Sequence, residues 1–399
     1  MNGKYRLSVI PACLSVACPL RSRRAGRGYR LSGRRLNHIA KTFLEILWNF
    51  KDQSPGNLSD FSGEYRKPNS EKGAVLIFTL VMLAVLSALT INLSSKMNHE
   101  ILLLKNASDY LKASSLAKGG VDYAVALLKM DEDFEVDWLG EGWAEEAELT
   151  FDEGILKVNV TDESGKINLN YLYTGGKKDK NLRIEQMLEL CDNIGLDYAV
   201  IAAIIDWIDG DEEIYELLSV TAGENKGAES EYYKELPIPY PCKNSAFDTN
   251  EEVMMVKGIE RERYYGEEGL KNFVTVFSSG KININTAGEQ VLKSTFQASL
   301  ASSSEKDKTE VFEPIDDIAI ALIMEWRTDN MISDVSQLEE QNFFSEEVVN
   351  KIKASGMFDF KSNFFKIESS AKVGKIEKNI TVIVERSRTD IKIKYWNEN

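Results

Sequence analysis

The sequence has 399 residues and a formal charge of −15, and the charge is uneven: residues 1–73 carry 14 basic against 5 acidic side chains, which leaves −24 on the remainder. A surface of that sign repels phosphate backbones and excludes nucleic acid as a partner for the main part of the chain. Its only histidines, His38 and His99, lie outside that part, which argues against histidine-based nucleophilic or zinc chemistry there.

Residues 1–73 are Arg-rich and acid-poor up to Arg35 and do not read as a folded domain. They read either as a basic leader or as a mis-set start. No Met stands between Met1 and Met82, so a later start, at Leu58 for example, needs a non-standard codon. Ala74–Leu93 follows without a charge, proline or glycine. As a helix it spans ~30 Å, enough to cross a bilayer, and a buried core helix is the lesser reading. Arg66, Lys67 and Lys72 precede it, which puts its N-terminal end on the cytoplasmic side and the acidic part outside. Residues 94–130 keep apolar side chains at helical spacing through Ile101, Leu104, Leu111, Leu116, Val121, Ala124 and Leu128, so one long helix over 74–130 is expected.

The alternation of 147–151 and 154–160 around Asp152–Glu153–Gly154 predicts a β-hairpin, within a first sheet segment over 131–180. From 181 to 356 the pattern turns helical, with a polar, mobile loop expected over 293–313. Period-two alternation returns in 357–399, in FFKIESSAKV, ITVIVERS and DIKIKYW. The fold class is therefore α+β: a helical domain inserted between the strands of one sheet. Trp138 and Trp143 read as core or sheet-edge aromatics. Cys191 and Cys242 could form a disulfide if the domain is extracytoplasmic; two buried thiols are the alternative.

The densest carboxylate cluster is Asp206, Asp209, Asp211, Glu212 and Glu213, followed by Glu224, Glu229 and Glu231. Oxygen-rich clusters without His or Cys suit Ca²⁺, although Gly210 is misplaced for an EF-hand; a solvated acidic loop is the bland alternative. An acid/base pair of the glycosidase kind is a further option, but it lacks flanking aromatics beyond Trp207 and Tyr215. Glu251–Ile259 and Lys281–Leu292 look like helix-hairpin-helix elements, and their acidic neighbours favour a scaffold over DNA binding.

Lys72–Gly73 before the apolar run resembles a type IV prepilin signal, which implies cleavage by a prepilin peptidase between Gly73 and Ala74, with methylation of the new amine. Asp162–Asn170, Ile204–Glu213, Gly227–Tyr240, Glu251–Ile259 and Gly280–Leu292 resemble, in order, stretches of the K-type minor pseudopilins of type II secretion systems. The resemblance covers about residues 70–399; residues 1–57 match nothing in it. It implies a pilin-like helix and antiparallel sheet with a helical insertion. It also implies a non-enzymatic role at the tip of a periplasmic pseudopilus anchored in the bacterial inner membrane. The implied partners are the I-, J- and H-type minor pseudopilins and the major pseudopilin. Calcium ligands are carried onto Asp209, Asp211 and Glu229, with Glu231 and Asn244 as weaker candidates. Most pilins have Glu at the fifth position after the cut; here it is Phe78, and K-type subunits lack that Glu. A minor pilin of a type IV pilus or DNA-uptake machine is the alternative.

Overall fold

The computed structural model describes residues 70–131, 133–217, 225–301 and 315–399. The basic leader up to residue 69, with Leu58, Arg66 and Lys67, lies outside them, as do Glu224 and most of the expected loop at 293–313. The described residues divide into two units, one ending at Val85 and the other running over Leu86–Asn399.

Helix α1 runs from Ser70 to Met130, so it begins four residues before the apolar run rather than with it. Its apolar part is long enough to cross a membrane, with a mean hydropathy of 2.7 over the best window and none of that window buried. The few hydroxyls there are satisfied within the helix: Thr79 and Thr90 donate to the carbonyls of Leu76 and Leu86, each at 2.8 Å. Lipid demands this, because it offers no acceptor.

In the second unit, Ala113, Ala117, Val121, Ala124 and Leu128 form a fully buried stripe at three- and four-residue spacing. The stripe packs on a five-stranded antiparallel sheet of order β1-β2-β7-β8-β9, built from β1 (Ala147–Thr150), β2 (Ile155–Asp162), β7 (Phe364–Val373), β8 (Ile376–Arg386) and β9 (Ile391–Glu398). Strand β7 shows why the alternation was readable: Phe365, Ile367, Ser369, Ala371 and Val373 face the helix and are buried, while their neighbours are not. Gly120 lets helix and sheet meet, because a Cβ there would lie 2.8 Å from Leu156 Cδ1 and overlap Ser369 Oγ. That hydroxyl donates to the Ala117 carbonyl at 2.8 Å.

Strands β2 and β7 are neighbours, registered from Ile155↔Lys372 to Asp162↔Phe365, so everything between Asp162 and Phe364 is an insertion between two paired strands. The insertion has its own core around Met187, Leu190, Ile201, Ile204, Ile205, Trp207, Tyr233 and Phe296. Its elements are β3 (Ile167–Asn168), α2 (Lys177–Ile194), α3 (Ala199–Ile208), α4 (Ser230–Lys234), α5 (Arg261–Tyr265), β4 (Val274–Thr275), β5 (Ile282–Asn283), α6 (Glu289–Ala301), α7 (Asp317–Asp329), α8 (Gln337–Glu340), α9 (Glu346–Ser355) and β6 (Phe358–Asp359). The two-residue parallel pairings β3·β4 and β5·β6 interrupt the helical pattern. Residues 250–255 form a 3₁₀ helix, where the sequence reads as α.

The loop expected at 293–313 is corrected in its first part. Residues 293–301 are the last turns of α6, with Ser294, Thr295 and Ser299 buried. Small hydroxyl residues pass as core here because each returns its proton to the helix backbone. Ser294 and Thr295 donate to the Val291 carbonyl at 3.0 and 2.5 Å, and Ser299 to that of Thr295 at 2.7 Å.

The insertion is stitched to the sheet by a buried polar network. Asp162 accepts from Ser164 N–H at 2.7 Å, from Asn283 Nδ2 at 3.2 Å, and from the Thr286 and Ser362 hydroxyls. Arg386 binds Asp131 at 2.5 Å, and also Asp137, where α1 gives way to the sheet. Insertion, Arg386 and the end of α1 therefore meet at one end of the sheet. At the opposite end, a Cβ on Gly374 in the β7–β8 turn would lie 3.1 Å from Asp109 Oδ2, on the incoming side of the helix.

Candidate metal centre

Helix α3 is buried from Val200 to Trp207, and it ends on an acid. Asp209 is its C-cap, donating its own N–H to the Ile205 carbonyl at 2.9 Å. A carboxylate at the negative end of a helix is unfavourable unless a cation stands by. The chain then doubles back: Glu216 bridges Lys226, Leu217 N–H donates to Asn225 O at 2.9 Å, and Gly227 N–H donates to Tyr215 O at 3.0 Å. This pairing returns Glu229, the N-cap residue of α4, to Asp209 and Asp211. One carboxylate oxygen from each of the three lies within 4.8 Å of the others.

Asn244 stands beside Asp211. Its φ of 49° is left-handed, a conformation that Asn tolerates better than most residues. Its Nδ2 donates to Asp211 O at 2.6 Å and to Glu212 Oε1 at 3.4 Å, which leaves Oδ1 without a donor. Asp206, one turn back on α3, spends Oδ1 on Tyr215 N–H at 2.8 Å.

The test of whether an ion fits is the set of oxygens left over. Asp206 Oδ2, Asp209 Oδ1, both Glu229 oxygens and Asn244 Oδ1 are buried and have no hydrogen-bond partner. Glu229 is 3% exposed. Burial, then mutual repulsion, raises these carboxyls to about 7 for Asp206, about 6 for Asp209 and about 7 for Glu229. Leaving such groups bare costs several kcal/mol each if they are charged. A hard cation with oxygen ligands removes that cost, and an oxygen-only donor set matches Ca²⁺. The residues that would hold such an ion are Asp209, Asp211 and Glu229, with the unpartnered Oδ1 of Asn244 as a further candidate.

The second acidic cluster makes the contrast. Asp131, Asp137 and Glu141 are grouped as closely. There the charge is met by Arg386, by Ser362 N–H to Asp137 at 2.7 Å, and by the Trp143 indole to Glu141. None of these oxygens is among the unpartnered ones. It is an ion-paired joint.

Not all the expected residues converge. Glu231 is exposed and lies outside the cluster, because two residues along a helix turn it away from Glu229. Cys191 and Cys242 are two buried free thiols, so the disulfide is not formed. Cys191 sits in the core of the insertion, while Cys242 Sγ contacts the Asp206 carbonyl at 3.4 Å. Burial pushes both thiols up to about 12. Gly73 and Ala74 lie in α1, exposed, with Phe78 66% exposed. Sequence reasoning missed Gly227, which admits the Asp206 carboxylate. The only signal was a glycine two residues before a buried acid.

Residues 165–279 match the family model for type II secretion system protein K. Protein K of Pseudomonas aeruginosa is 27% identical over 241 residues, covering 57% of this chain and 68% of the relative. Protein K of Klebsiella pneumoniae is 24% identical over 229 residues, covering 54% and 66%. In the crystal structure of the GspK–GspI–GspJ complex from enterotoxigenic Escherichia coli, one chain matches with a TM-score of 0.56 and 18% identity. That match covers 74% of this chain and 98% of the other, and it shows a shared fold. Residues 165–279 thus match a protein K domain of type II secretion systems, and the chain is similar to protein K of two species over more than half of its length.

Proposed function

We propose that this protein is a minor pseudopilin that starts or caps the secretion pseudopilus at its tip and acts without catalysis. In this reading a prepilin peptidase cuts between Gly73 and Ala74 and the new amine is methylated. The apolar part of α1 sits in the inner membrane, and the acidic unit lies in the periplasm beside I-, J- and H-type minor pseudopilins, above the major pseudopilin.

The observation that carries the reading is where the insertion is attached. It leaves β2 at Asp162 and re-enters β7 at Phe364, at the end of the sheet where α1 finishes beside Arg386. In a filament stacked through N-terminal helices, that end faces outward. About two hundred residues placed there leave no room for a subunit above. Phe78 agrees. A Glu at bilayer depth costs ~2.5–3.5 kcal/mol or less unless it meets the amine of a subunit already above, and a first subunit has none. The Ala74 amine stays free to meet a Glu from below.

Ca²⁺ at Asp209, Asp211, Glu229 and Asn244 has a structural role in this reading. It neutralises the buried carboxylates and pins the 209–229 excursion. The partnership is tested by mixing residues 97–399 with the I- and J-type proteins from the same system and measuring mass by light scattering. A 1:1:1 complex is expected; separate species at all ratios would remove the tip assignment.

A further inference from the structure

Beside the acidic loop an open groove of about 690 Å³ runs between two walls. One wall is the segment 240–243 and the other is 248–255, and Trp207 also lines it. The walls are tied to each other. Tyr240 Oη donates to the Met255 carbonyl at 2.8 Å, and Lys243 Nζ donates to Asp248 and Glu252, both at 2.8 Å. Cross-ties of this kind hold a groove open before anything binds, which lowers the ordering cost of binding.

The rim is acidic. Lys243 is already shared between Asp248 and Glu252. Glu251 is exposed, and its carboxylate makes no ion pair or side-chain hydrogen bond among the described residues. Apolar surface lies alongside: Met255 is 41% exposed, and Ile238, in the proline-rich approach to the groove, is 77% exposed. Tyr240 presents a partly buried ring at the wall.

We propose that this groove docks an extended, arginine-bearing segment of a protein partner. The planar guanidinium suits both a free carboxylate, through paired N–H donors, and the face of a tyrosine. Residues flanking the arginine would cover Met255. The acid excess rules against a nucleic-acid backbone and against an acidic peptide.

The test uses the full chain in detergent and the probe fluorescein–Leu-Arg-Leu-Arg-Leu amide, with a twin carrying Glu in place of Arg, read by fluorescence anisotropy. Saturable binding of the Arg probe and none of the Glu twin is expected. Glu251→Lys should weaken binding about tenfold, the scale of one charge-assisted contact. Met255→Ser, which removes the apolar cover without changing the charge, should also weaken it. The control is Glu346→Lys, an exposed acid on α9 that makes the same change in net charge. Equal weakening by Glu346→Lys would show non-specific attraction and overturn the proposal. So would equal binding of the Glu twin, or no saturable binding at millimolar probe. Circular dichroism of each variant checks that the fold is kept.

Discussion

Asp206 Oδ2 lies against the Cα of Gly227, in space that any larger residue at 227 would fill. A Cβ there would overlap that oxygen and lie 2.7 Å from the Ala202 carbonyl oxygen. Neither can retreat, since the carbonyl belongs to buried α3 and the carboxylate is held by Tyr215 N–H. Gly227→Ala is therefore expected to destabilise by ~1–3 kcal/mol, the usual cost of overpacking. Urea unfolding checks this, and a change within ~0.5 kcal/mol of wild type would show that the loop yields freely.

Calcium should raise the melting temperature of the wild type. At free Ca²⁺ of ~100 times Kd the gain is ~2.7 kcal/mol. Asp209→Asn with Asp211→Asn should abolish the gain. An identical melting temperature in calcium and in EDTA would remove the ion from the account of this site.

The pH dependence has a definite sign. The folded-state pKa values of Asp206, Asp209 and Glu229 are raised to about 7, about 6 and about 7 by burial, then repulsion. Without metal, their contribution to stability is fully present near pH ~4 and is lost as pH rises through ~6–7. Ca²⁺ binds the ionised forms of Asp209 and Glu229, so its stabilisation should grow over the same interval. Melting curves in EDTA and in Ca²⁺ from pH ~5 to ~8 should therefore diverge upward. Parallel curves would mean that these carboxyls are not the ligands.

The joint at Arg386 should be fragile. Arg386 and Asp137 are both buried, and the Asp137 carboxyl is raised to about 6 by burial in spite of the arginine beside it. Arg386→Leu leaves Asp137 and Asp131 without their cation and is expected to cost ~3–5 kcal/mol. Denaturant unfolding reads the loss, and a change below ~1 kcal/mol would show the pair to be dispensable.

Which parts of this were readable in the sequence follows from how local the physics is. β7 and β8 bury one face, so their alternation is written residue by residue, and the apolar run of α1 needs no partner to be recognised. The insertion could be inferred because its period differs from that of the strands on either side. Glu229 and Glu231 could not be told apart, since both are acids two positions apart. Only the return of the chain through Glu216 and Lys226 buries one and exposes the other. The hydroxyl-rich end of α6 looked like a loop because hydroxyls satisfied by their own helix are invisible to a hydrophobicity count. Arg386 and Asp137 stand far apart in sequence, and nothing local announces their pairing.

Processing has its own test. Gly73→Val should leave residues 1–73 attached, and mass spectrometry of the wild-type mature protein should find an N-terminus at Ala74 carrying one methyl group. A mature protein that begins elsewhere would contradict the cleavage site.

The position of the insertion beyond the end of α1 is tested most directly by immunogold electron microscopy of overproduced pseudopili, using an antibody raised to residues 163–363. Gold at one end of each filament is the expected result, and Phe78→Glu alone should leave it there because the bulk remains. Gold distributed along the filament would contradict a tip subunit.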